Sequence, residues 1–452
     1  MSSWHRVIVI ATTVVVACHF TPGLTDGGSG PADALPDVPD AGPCLSVSMQ
    51  CVNADVLRTC ATVNGSAVDT TCDWGCRSDD APAHCAQLAP SGGYAMPGDT
   101  VGTDVDAVTL NNATINQSTG QIMGTPTRPA GSGLIGGIDF EPRVSGSTSA
   151  GVFRFGTLTI QGMLKFSGTG PVVLVSTDSI TVSGAIDGQG NCTGSGGGPG
   201  GAPGGIGGHP GGGSGSGGGS GTDQSLGGAG GGYGSAGGSG GAANGETAIP
   251  GGLAFTSSVL VGGAGGGGGH GGNPYGGGGG GAIQLVADKT ITITTTGSIN
   301  AGGCGGTSGT STTDTGGGGG AGGTIVLEAH DLAVSGWLAV NGGGGGGNYD
   351  DNPPCASTNR GSNGALSRTP AAGAIGCAAN GGSGGASNML AGFAGLHGPY
   401  MNMGDYAAGG GGAVGRIGLA TRSGSATLDN AQMSPAQNDD PTTATLGSAN
   451  TQ

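Results

Sequence analysis

The sequence predicts an all-β protein whose short strands stack as a parallel β-helix or solenoid, with long glycine-rich loops and a small disulfide-rich module. Three observations predict this fold class. Apolar and polar residues alternate in strand-like segments, one short pattern recurs along the chain, and 112 of the 452 residues are glycine. A jelly-roll-like β-sandwich with glycine-helix insertions is the alternative architecture.

The clearest strand unit is residues 281–302, GAIQLVADKTITITTTGSINAG. Apolar Ile291 and Ile293 flank polar Thr292, which is the period of two that a strand with one buried face requires. Glycine precedes and follows this unit. We therefore interpret it as one repeat of the fold.

The second half of this unit recurs as apolar-x-apolar-x-Gly-x-apolar. Each copy has too little apolar surface to fold alone, so the copies should stack into one continuous core. The glycine of each copy fits a corner that needs a positive φ. The copies lie at 158–164 (LTIQGML), 180–186 (ITVSGAI) and 332–338 (LAVSGWL), with two extra residues before Gly297 in the first unit and a degenerate copy around Ile417, Leu419 and Leu428.

Stacking of the copies predicts which apolar residues occupy equivalent positions. In a strand with one buried face, residues two apart point to the same side. The residues that we expect to line one common interior are Ile180, Val182, Ile291, Ile293, Leu332 and Val334.

Composition limits both the core and the function. Aromatic residues make up 4% of the chain, so the core must be thin and built from aliphatic side chains. The 28 acidic and 12 basic residues give a net charge of -16. A chain without a basic patch is a poor partner for nucleic acid, and nucleic-acid binding is therefore excluded from our expectations.

The first 18 residues predict a targeting segment. The polar start ends at Arg6, the apolar run Val7–Ala17 follows, and Cys18 comes next. This run is shorter than the ~20 residues that a membrane-spanning helix needs. Residues 1–18 resemble a bacterial lipoprotein signal, although valine occupies both the third and the second position before the cysteine. The resemblance implies that Cys18 is retained and lipidated. An ordinary secretory signal, cleaved near Ala17 or a little later, is the alternative.

Residues 19–43 contain glycine, proline, serine and aspartate and little that could pack. We interpret them as a disordered tether between the anchor and the folded parts; an ordinary disordered terminus is the alternative.

Residues 44–88 form a predicted cysteine-rich module. So short a segment cannot be stable through burial alone, so we expect three disulfides to stabilise it. The sequence does not determine which cysteines pair. Zinc is the competing interpretation, because Cys72 and Cys76 have ligand spacing and His84 adjoins Cys85, but an exported chain meets an oxidising compartment. The six cysteines are Cys44, Cys51, Cys60, Cys72, Cys76 and Cys85.

Four further cysteines lie in or beside the glycine loops. If Cys18 carries lipid, ten of the 11 cysteines remain, and both groups of them are even in number. We therefore expect these four to be disulfide-bonded as well, which restricts an unfolded state that glycine makes costly to order. They are Cys192, Cys304, Cys355 and Cys377.

Residues 89–430 form the predicted glycine-rich β-repeat region, and 431–452 a disordered tail. The part from Ser91 to Gly151 is polar, with strand-like pieces at 108–115 and 133–140. We expect it to cap the stack, because an open stack would expose unpaired strand edges.

Glycine tracts separate the repeats, and glycine holds a period of three in the longest. They are either disordered loops or extended polyglycine helices of three residues per turn that bond to one another through the backbone. A collagen helix is excluded because the phase breaks and proline is scarce. The tracts are 194–245, 262–281, 316–323, 342–347 and 409–412.

Catalytic, cofactor and metal sites have no clear sequence signal. Matches to GxGxxG are expected by chance in so glycine-rich a chain, and no helix signal follows them. Asp350 and Asp351 are the closest to a carboxylate pair, for which a solvated loop is the ordinary interpretation and weak calcium binding the alternative. The histidines of the main region are single residues: His209, His270, His330 and His397.

The cysteine-rich module, the segment LAPSGG (Leu88–Gly93) and tracts of the GGGGGG(A/G)IxLxA kind carry a resemblance. The chain resembles the glycine-rich, often PE-PGRS-labelled, surface lipoproteins of myxobacterial-type bacteria over most of its mature length. The resemblance implies location and architecture, and it supplies no catalytic residues.

Together these features predict a non-enzymatic structural or adhesion lipoprotein of the bacterial outer membrane or cell surface, bound to the membrane through lipid. Surface polysaccharide or other surface proteins are the expected partners, with no cofactor and no metal. A carbohydrate-active β-helix enzyme, either a polysaccharide lyase or a hydrolase, is the alternative function. It would need clustered acidic and basic residues on one face, whereas the chain has two lysines, Lys165 and Lys289. Secretion without an anchor is the alternative location.

Overall fold

The computed structural model describes residues 44, 46–79, 82–213, 217–272, 274–311, 314–349, 360–398 and 406–452. The chain divides into two compact units, which are Met1–Val47 with Cys60–Val68 and Ser48–Thr59 with Asp69–Gln452. The predicted signal segment with Cys18, the tether, Cys355 and the Asp350–Asp351 pair lie outside the described residues.

The described residues form strands and turns, with no helix among them, so the all-β prediction is confirmed. No helix long and apolar enough to cross a membrane occurs in this part of the chain. The strands are β1 (Ser48–Asn53), β2 (Val56–Cys60), β3 (Val68–Thr71), β4 (Cys76–Arg77), β5 (His84–Cys85), β6 (Val108–Asn116), β7 (Gln121–Thr125), β8 (Gly133–Ile135), β9 (Ile138–Ser145), β10 (Thr148–Phe155), β11 (Leu158–Ser167), β12 (Val172–Ser176), β13 (Ser179–Val182), β14 (Ala185–Asp187), β15 (Ala282–Ala287), β16 (Thr290–Ile293), β17 (Ser298–Asn300), β18 (Thr324–Ala329), β19 (Asp331–Val334), β20 (Trp337–Ala339), β21 (Arg416–Thr421), β22 (Gln432–Ser434) and β23 (Ala444–Ser448).

Sheet 1 has eight strands in the order β23-β21-β18-β15-β12-β10-β9-β8. From β10 to β23 all neighbours are parallel, and β9 and β8 extend the other edge in antiparallel fashion. The pairing is in register, so the same position of each strand forms a row across the sheet. One such row is Leu174, Leu285, Leu327, Leu419 and Leu446.

Sheet 2 is built on the long strand β11, whose two halves pair with the short strands β13 and β14. Later repeats add further short strands beside these two, in two arms. One arm is β13-β16-β19 and the other is β14-β17-β20-β22, all parallel. The predicted equivalence of six apolar residues is confirmed. Ile180, Ile291 and Leu332 form one row of this sheet, and Val182, Ile293 and Val334 form the next.

The sequence pattern assigned the degenerate last copy to the wrong half of the repeat. Ile417 and Leu419 lie in sheet 1, opposite Ile325 and Leu327, rather than beside the second-half strands of sheet 2. The residue that pairs with Leu338 in sheet 2 is Met433. Both halves of a repeat alternate with a period of two, so the alternation alone cannot distinguish them.

The corner glycines also differ from expectation. Of the four, only Gly162 has a positive φ, at 63°. At Gly184 an added Cβ would overlap the carbonyl oxygen of Gly162, and at Gly336 it would overlap that of Gly297. Close approach of stacked backbones, rather than backbone conformation, therefore requires glycine at these two corners.

The two sheets share one apolar core. Val172 and Leu174 of sheet 1 belong to the same buried cluster as Ile180 and Val182 of sheet 2, and all four side chains are fully buried. Burial of each such side chain stabilises the fold by about 1.5–3 kcal/mol. The period of two in the sequence thus corresponds to a core between sheets.

The segment before the repeats lies at one end of both sheets, in keeping with the predicted cap. β6 pairs with β11 in parallel and with β7 in antiparallel fashion, while β9 and β8 complete sheet 1. At the other end, the expected disordered tail of residues 431–452 instead contains β22 and β23, each paired in a sheet. Met433 and Ala444 are buried there, an apolar contribution that composition alone did not reveal.

Four glycine-rich tracts are ordered and fully buried. They are residues 262–269, 276–281, 316–323 and 409–415. Their backbone groups bond between tracts rather than within one. Disordered loops are therefore the wrong interpretation for these residues. A period of three is visible in the donors Ala202, Gly205 and Gly208, whose N–H groups donate to the carbonyls of Gly263, Gly266 and Gly269 at 3.0, 2.8 and 2.8 Å.

Tract 316–323, between β17 and β18, is bonded to neighbours on all sides. Its N–H groups donate in rotation to three tracts, with carbonyl acceptors at 407, 410 and 413, at 307, 304 and 301, and at 267 and 264. Its carbonyls accept from three others, with donors at 228 and 231, at 277 and 280, and at 343 and 346. We call tract 316–323 and its six neighbours, residues 228–231, 264–267, 277–280, 301–307, 343–346 and 407–413, the glycine bundle.

Candidate functional site

Disulfides pair all six cysteines of the predicted module within it. In the first unit Cys44 bonds to Cys60; in the second Cys51 bonds to Cys76 and Cys72 to Cys85. Cys72 and Cys76, the suggested zinc ligands, belong to two different disulfides and are not available as thiolates. The predicted oxidised framework is present in the described residues.

A fourth disulfide joins Cys192, in the loop after β14, to Cys304 of the glycine bundle, across 112 residues of sequence. Cys304 is fully buried, and its N–H donates to the carbonyl of Gly278 at 2.9 Å. Cys377 is disulfide-bonded as well. The disulfides thus stabilise the glycine region as well as the small module.

The part of the module that belongs to the second unit packs on the outer face of sheet 1. Trp74 is buried in a cluster with Val173 and Val175, which point away from the core between the sheets. Its indole N–H donates to Asp288 Oδ1 at 3.1 Å, and its ring meets that of His330 edge-on at 5.6 Å. Sheet 1 is therefore covered on both faces at β12.

The outer face of sheet 1 opens toward β21 and β23. Val173 and Gln284 are fully buried, but the next members of the same row, Val326, Gly418 and Thr445, have access to solvent. The cover ends at Ser91–Gly92 and at 257–260, which leaves a cleft of about 320 Å³ beside β18, β21 and β23. We name it the Arg416 cleft; its lining includes Tyr233, Ser258, Val326, Arg416, Gly418 and Thr443.

Arg416, the first residue of β21, is the cation of this cleft. Its guanidinium lies 5.7 Å from the centre of the Tyr233 ring. It donates from Nη1 to the carbonyl of Thr442 at 2.8 Å and from Nη2 to that of Phe255 at 3.0 Å. Backbone carbonyls and an aromatic face thus fix the arginine, while its Nε is buried and has no hydrogen-bond partner.

Tyr233 is held rigidly below this arginine. Its hydroxyl lies 2.6 Å from Thr324 Oγ1, and Thr324 in turn donates to the carbonyl of Val261 at 2.6 Å. The Phe255 ring packs 4.7 Å from the Tyr233 ring. Burial raises the pKa of Tyr233, so the hydroxyl stays protonated.

Glu328 lies at a second depression that shares Ser91, Val326, Gly418 and Thr445 with the Arg416 cleft. It is 3% exposed and accepts hydrogen bonds from the Ser91 N–H at 3.0 Å and from Gln284 Nε2 at 2.6 Å. Burial raises the pKa of Glu328 more than these bonds lower it. Glu328 therefore fixes the LAPSGG segment to the sheet.

Other candidates from the sequence do not converge. His330 lies beside Trp74 and Asp331, whereas His209 and His270 belong to glycine loops. Within the described ranges, no group of three His, Cys, Asp or Glu side chains could hold a metal ion.

Sequence reasoning missed Arg416 and the cleft around it. The available signal was a basic residue placed directly between a glycine tract and the alternating segment IGLAT, in a chain with 12 basic residues. Its significance depends on Phe255 and Thr442, which approach from 161 and 26 residues away along the chain. No spacing pattern indicates such contacts.

Comparison of the chain with protein-family models, with curated proteins and with solved structures found no match in any of the three.

Proposed function

We propose that this chain is a non-enzymatic structural or adhesion component of a bacterial cell surface, held at the membrane by lipid on Cys18. The disulfide bonds carry this proposal. Disulfides persist in oxidising compartments and are rare in the cytosol, and here they extend from the small module to Cys304 and Cys377. We propose the same surface location and lipid anchor that the resemblance to glycine-rich surface lipoproteins implies.

The proposed architecture is a parallel β-helix-like solenoid with polyglycine helices as its long loops. The in-register parallel rows of both sheets support the solenoid, since each repeat contributes one strand to sheet 1 and shorter strands to sheet 2. The three-residue period of the bonds between tracts supports polyglycine helices, which have three residues per turn and no internal hydrogen bonds.

The segment that borders the glycine bundle at residues 393–396 suits display at a surface. It is bonded to the bundle, since the N–H groups of Ala408 and Gly411 donate to the carbonyls of Leu396 and Phe393. Phe393 and Leu396 are 45% and 55% exposed, while Gly395 between them is buried. Leu253 and Ile375 add further exposed apolar side chains on glycine-rich segments. Exposed apolar side chains, held in place by a framework of backbone hydrogen bonds, are suited to contact surface polysaccharide or surface proteins.

Fractionation of cells that express the full chain tests the proposal. The protein should partition into detergent, and mass spectrometry of the mature N-terminus should find lipid on Cys18. Cys18→Ser should release the protein from the membrane. Cys192→Ser, a matched loss of one cysteine within the glycine region, should leave it attached. An unmodified N-terminus downstream of Cys18 would overturn the anchoring.

A further inference from the structure

The Arg416 cleft has the charge pattern of an anion-binding site in an acidic protein. Six other described arginines, at 58, 77, 143, 154, 368 and 422, form ion pairs with carboxylates. Among the described residues, no carboxylate forms an ion pair with Arg416. A guanidinium has five N–H donors, and the two bonds to Thr442 and Phe255 leave donors over.

Hydroxyl groups line the same cleft as this arginine. Ser258, Thr442 and Thr445 are exposed to solvent there, whereas the Ser257 hydroxyl is bonded to the carbonyl and the N–H of Val259. A hydroxyl both donates and accepts, so such a rim suits a ligand that carries many hydroxyls of its own. Among the residues that the structure describes, no Asp or Glu side chain lines the cleft itself.

The floor of the cleft has no side chain at Gly418. In the row of sheet 1 that crosses the cleft, Gly418 stands between Val326 and Thr445. With about 320 Å³, the cleft has the size of a small-molecule site. A sugar ring could lie on this floor with its edge toward the hydroxyls.

We propose that the Arg416 cleft binds a uronate residue of an acidic saccharide. The guanidinium fork of Arg416 pairs with the sugar carboxylate, for which its planar donor geometry is suited. The serine and threonine hydroxyls bond to the ring hydroxyls, and the ring lies over Val326 and Gly418. This inference relies on the proposed surface role for its biological setting, whereas the site itself is defined by the residues of the cleft.

Calorimetric titration of the full chain with trigalacturonate and, separately, with neutral trigalactose tests the proposal. We expect the acidic trimer to bind at least about tenfold more tightly than the neutral one, since a charge-assisted fork is lost without the carboxylate. Arg416→Gln should weaken trigalacturonate binding at least about tenfold and leave the weak binding of trigalactose unchanged. Lys165→Gln, an equal loss of charge on an exposed strand residue, should have no effect.

Gly418→Val provides a test that does not depend on charge. An added Cβ at Gly418 would lie 3.7 Å from Thr445 Oγ1 and 3.8 Å from Val326 Cγ2, which is ordinary contact, and valine favours strands, so β21 should accept the side chain. A melting curve of the variant checks that it folds. Its side chain would fill the floor and abolish binding.

Equal affinity for both trimers, or trigalacturonate binding that both variants leave intact, would overturn the proposal. So would full competition by inorganic sulfate at the same concentration, which would indicate an anion site without a saccharide. A protein that is lipidated and membrane-bound but binds no trigalacturonate would overturn this inference alone. A protein that binds trigalacturonate but carries no lipid would overturn the proposed anchoring instead.

Discussion

The sheets and the glycine bundle fill the interior of the same unit in opposite ways. Between the sheets, every second side chain is apolar and buried, as at Val182, Ile293 and Val334. In the bundle there are almost no side chains, and the buried groups are the N–H and C=O groups of neighbouring backbones, as along tract 316–323. One region depends on the hydrophobic effect, and the other on hydrogen bonds and close backbone packing.

This difference determines what each region tolerates. A core of side chains can absorb part of a change in size, because side chains can move and repack. A bundle of backbones has no such freedom, since each tract is surrounded by others at the distance of a hydrogen bond. The sheets should therefore be sensitive to polarity and the bundle to size.

The largest effect is expected for Val334→Asp in sheet 2. Val334 is fully buried between the sheets, so the variant places an unpaired charge in an apolar core and should lower the free energy of unfolding by at least about 3 kcal/mol. Ser335→Asp, one residue on, should change it by less than about 0.5 kcal/mol, because that half-buried side chain points to the opposite face. Thermal and denaturant unfolding measure both. Equal destabilisation by the two substitutions would contradict the period of two.

The next largest effect is expected for Gly320→Ala in the glycine bundle. An added Cβ would overlap the carbonyl of Gly278, so this single methyl group should lower the free energy of unfolding by about 1–3 kcal/mol. Gly272→Ala is the matched control, because no atom of the described residues lies within 4 Å of its added Cβ. It should leave stability unchanged or raise it by less than about 1 kcal/mol. If denaturant unfolding shows the same small change for both, the bundle is not packed as closely as described.

The smallest effect is expected for Glu328→Gln on the outer face of sheet 1, and it should depend on pH. Burial raises the pKa of Glu328 above its usual 4.5, so the folded chain favours the protonated side chain. The stability that this group contributes is complete below the unfolded pKa and is lost as the pH rises through the folded pKa.

Denaturant unfolding at pH 4 and pH 8 measures the contribution of Glu328. The glutamine variant should lose less stability between these pH values than the wild-type chain, because its side chain does not titrate. An identical loss in both proteins would mean that Glu328 titrates in the folded chain as it does in the unfolded one.

Much of the strand region could be predicted from the sequence, because a period of two is a local property. The rows through Ile180 and Val182 follow from counting residues along 180–186 and 332–338. The alternation of residues does not indicate which of the two sheets a strand joins. Ile417 and Leu419 alternate like the other strands, and their position opposite Ile325 and Leu327 depends on the long loop before them.

The glycine bundle and the cleft were less accessible for another reason. A period of three in glycine is compatible with both order and disorder, and the distinction depends on whether other tracts arrive at hydrogen-bonding distance. The Arg416 cleft likewise depends on the missing side chain at Gly418, and on contacts of Arg416 with Phe255 and Thr442, which are distant in sequence. The sequence of one segment alone does not predict which distant segment it contacts.

The rotation of hydrogen bonds along tract 316–323 has a consequence for how such a chain can change in evolution. Three residues complete one turn, so loss of a single glycine would turn the rest of the tract by about one third of a revolution and present every N–H to the wrong neighbour. Loss or gain of three residues would restore the phase, since Gly316, Gly319 and Gly322 all donate to the same tract. Insertions and deletions in the bundle should therefore survive selection in multiples of three residues, which gives these loops a length rule although their composition is nearly uniform.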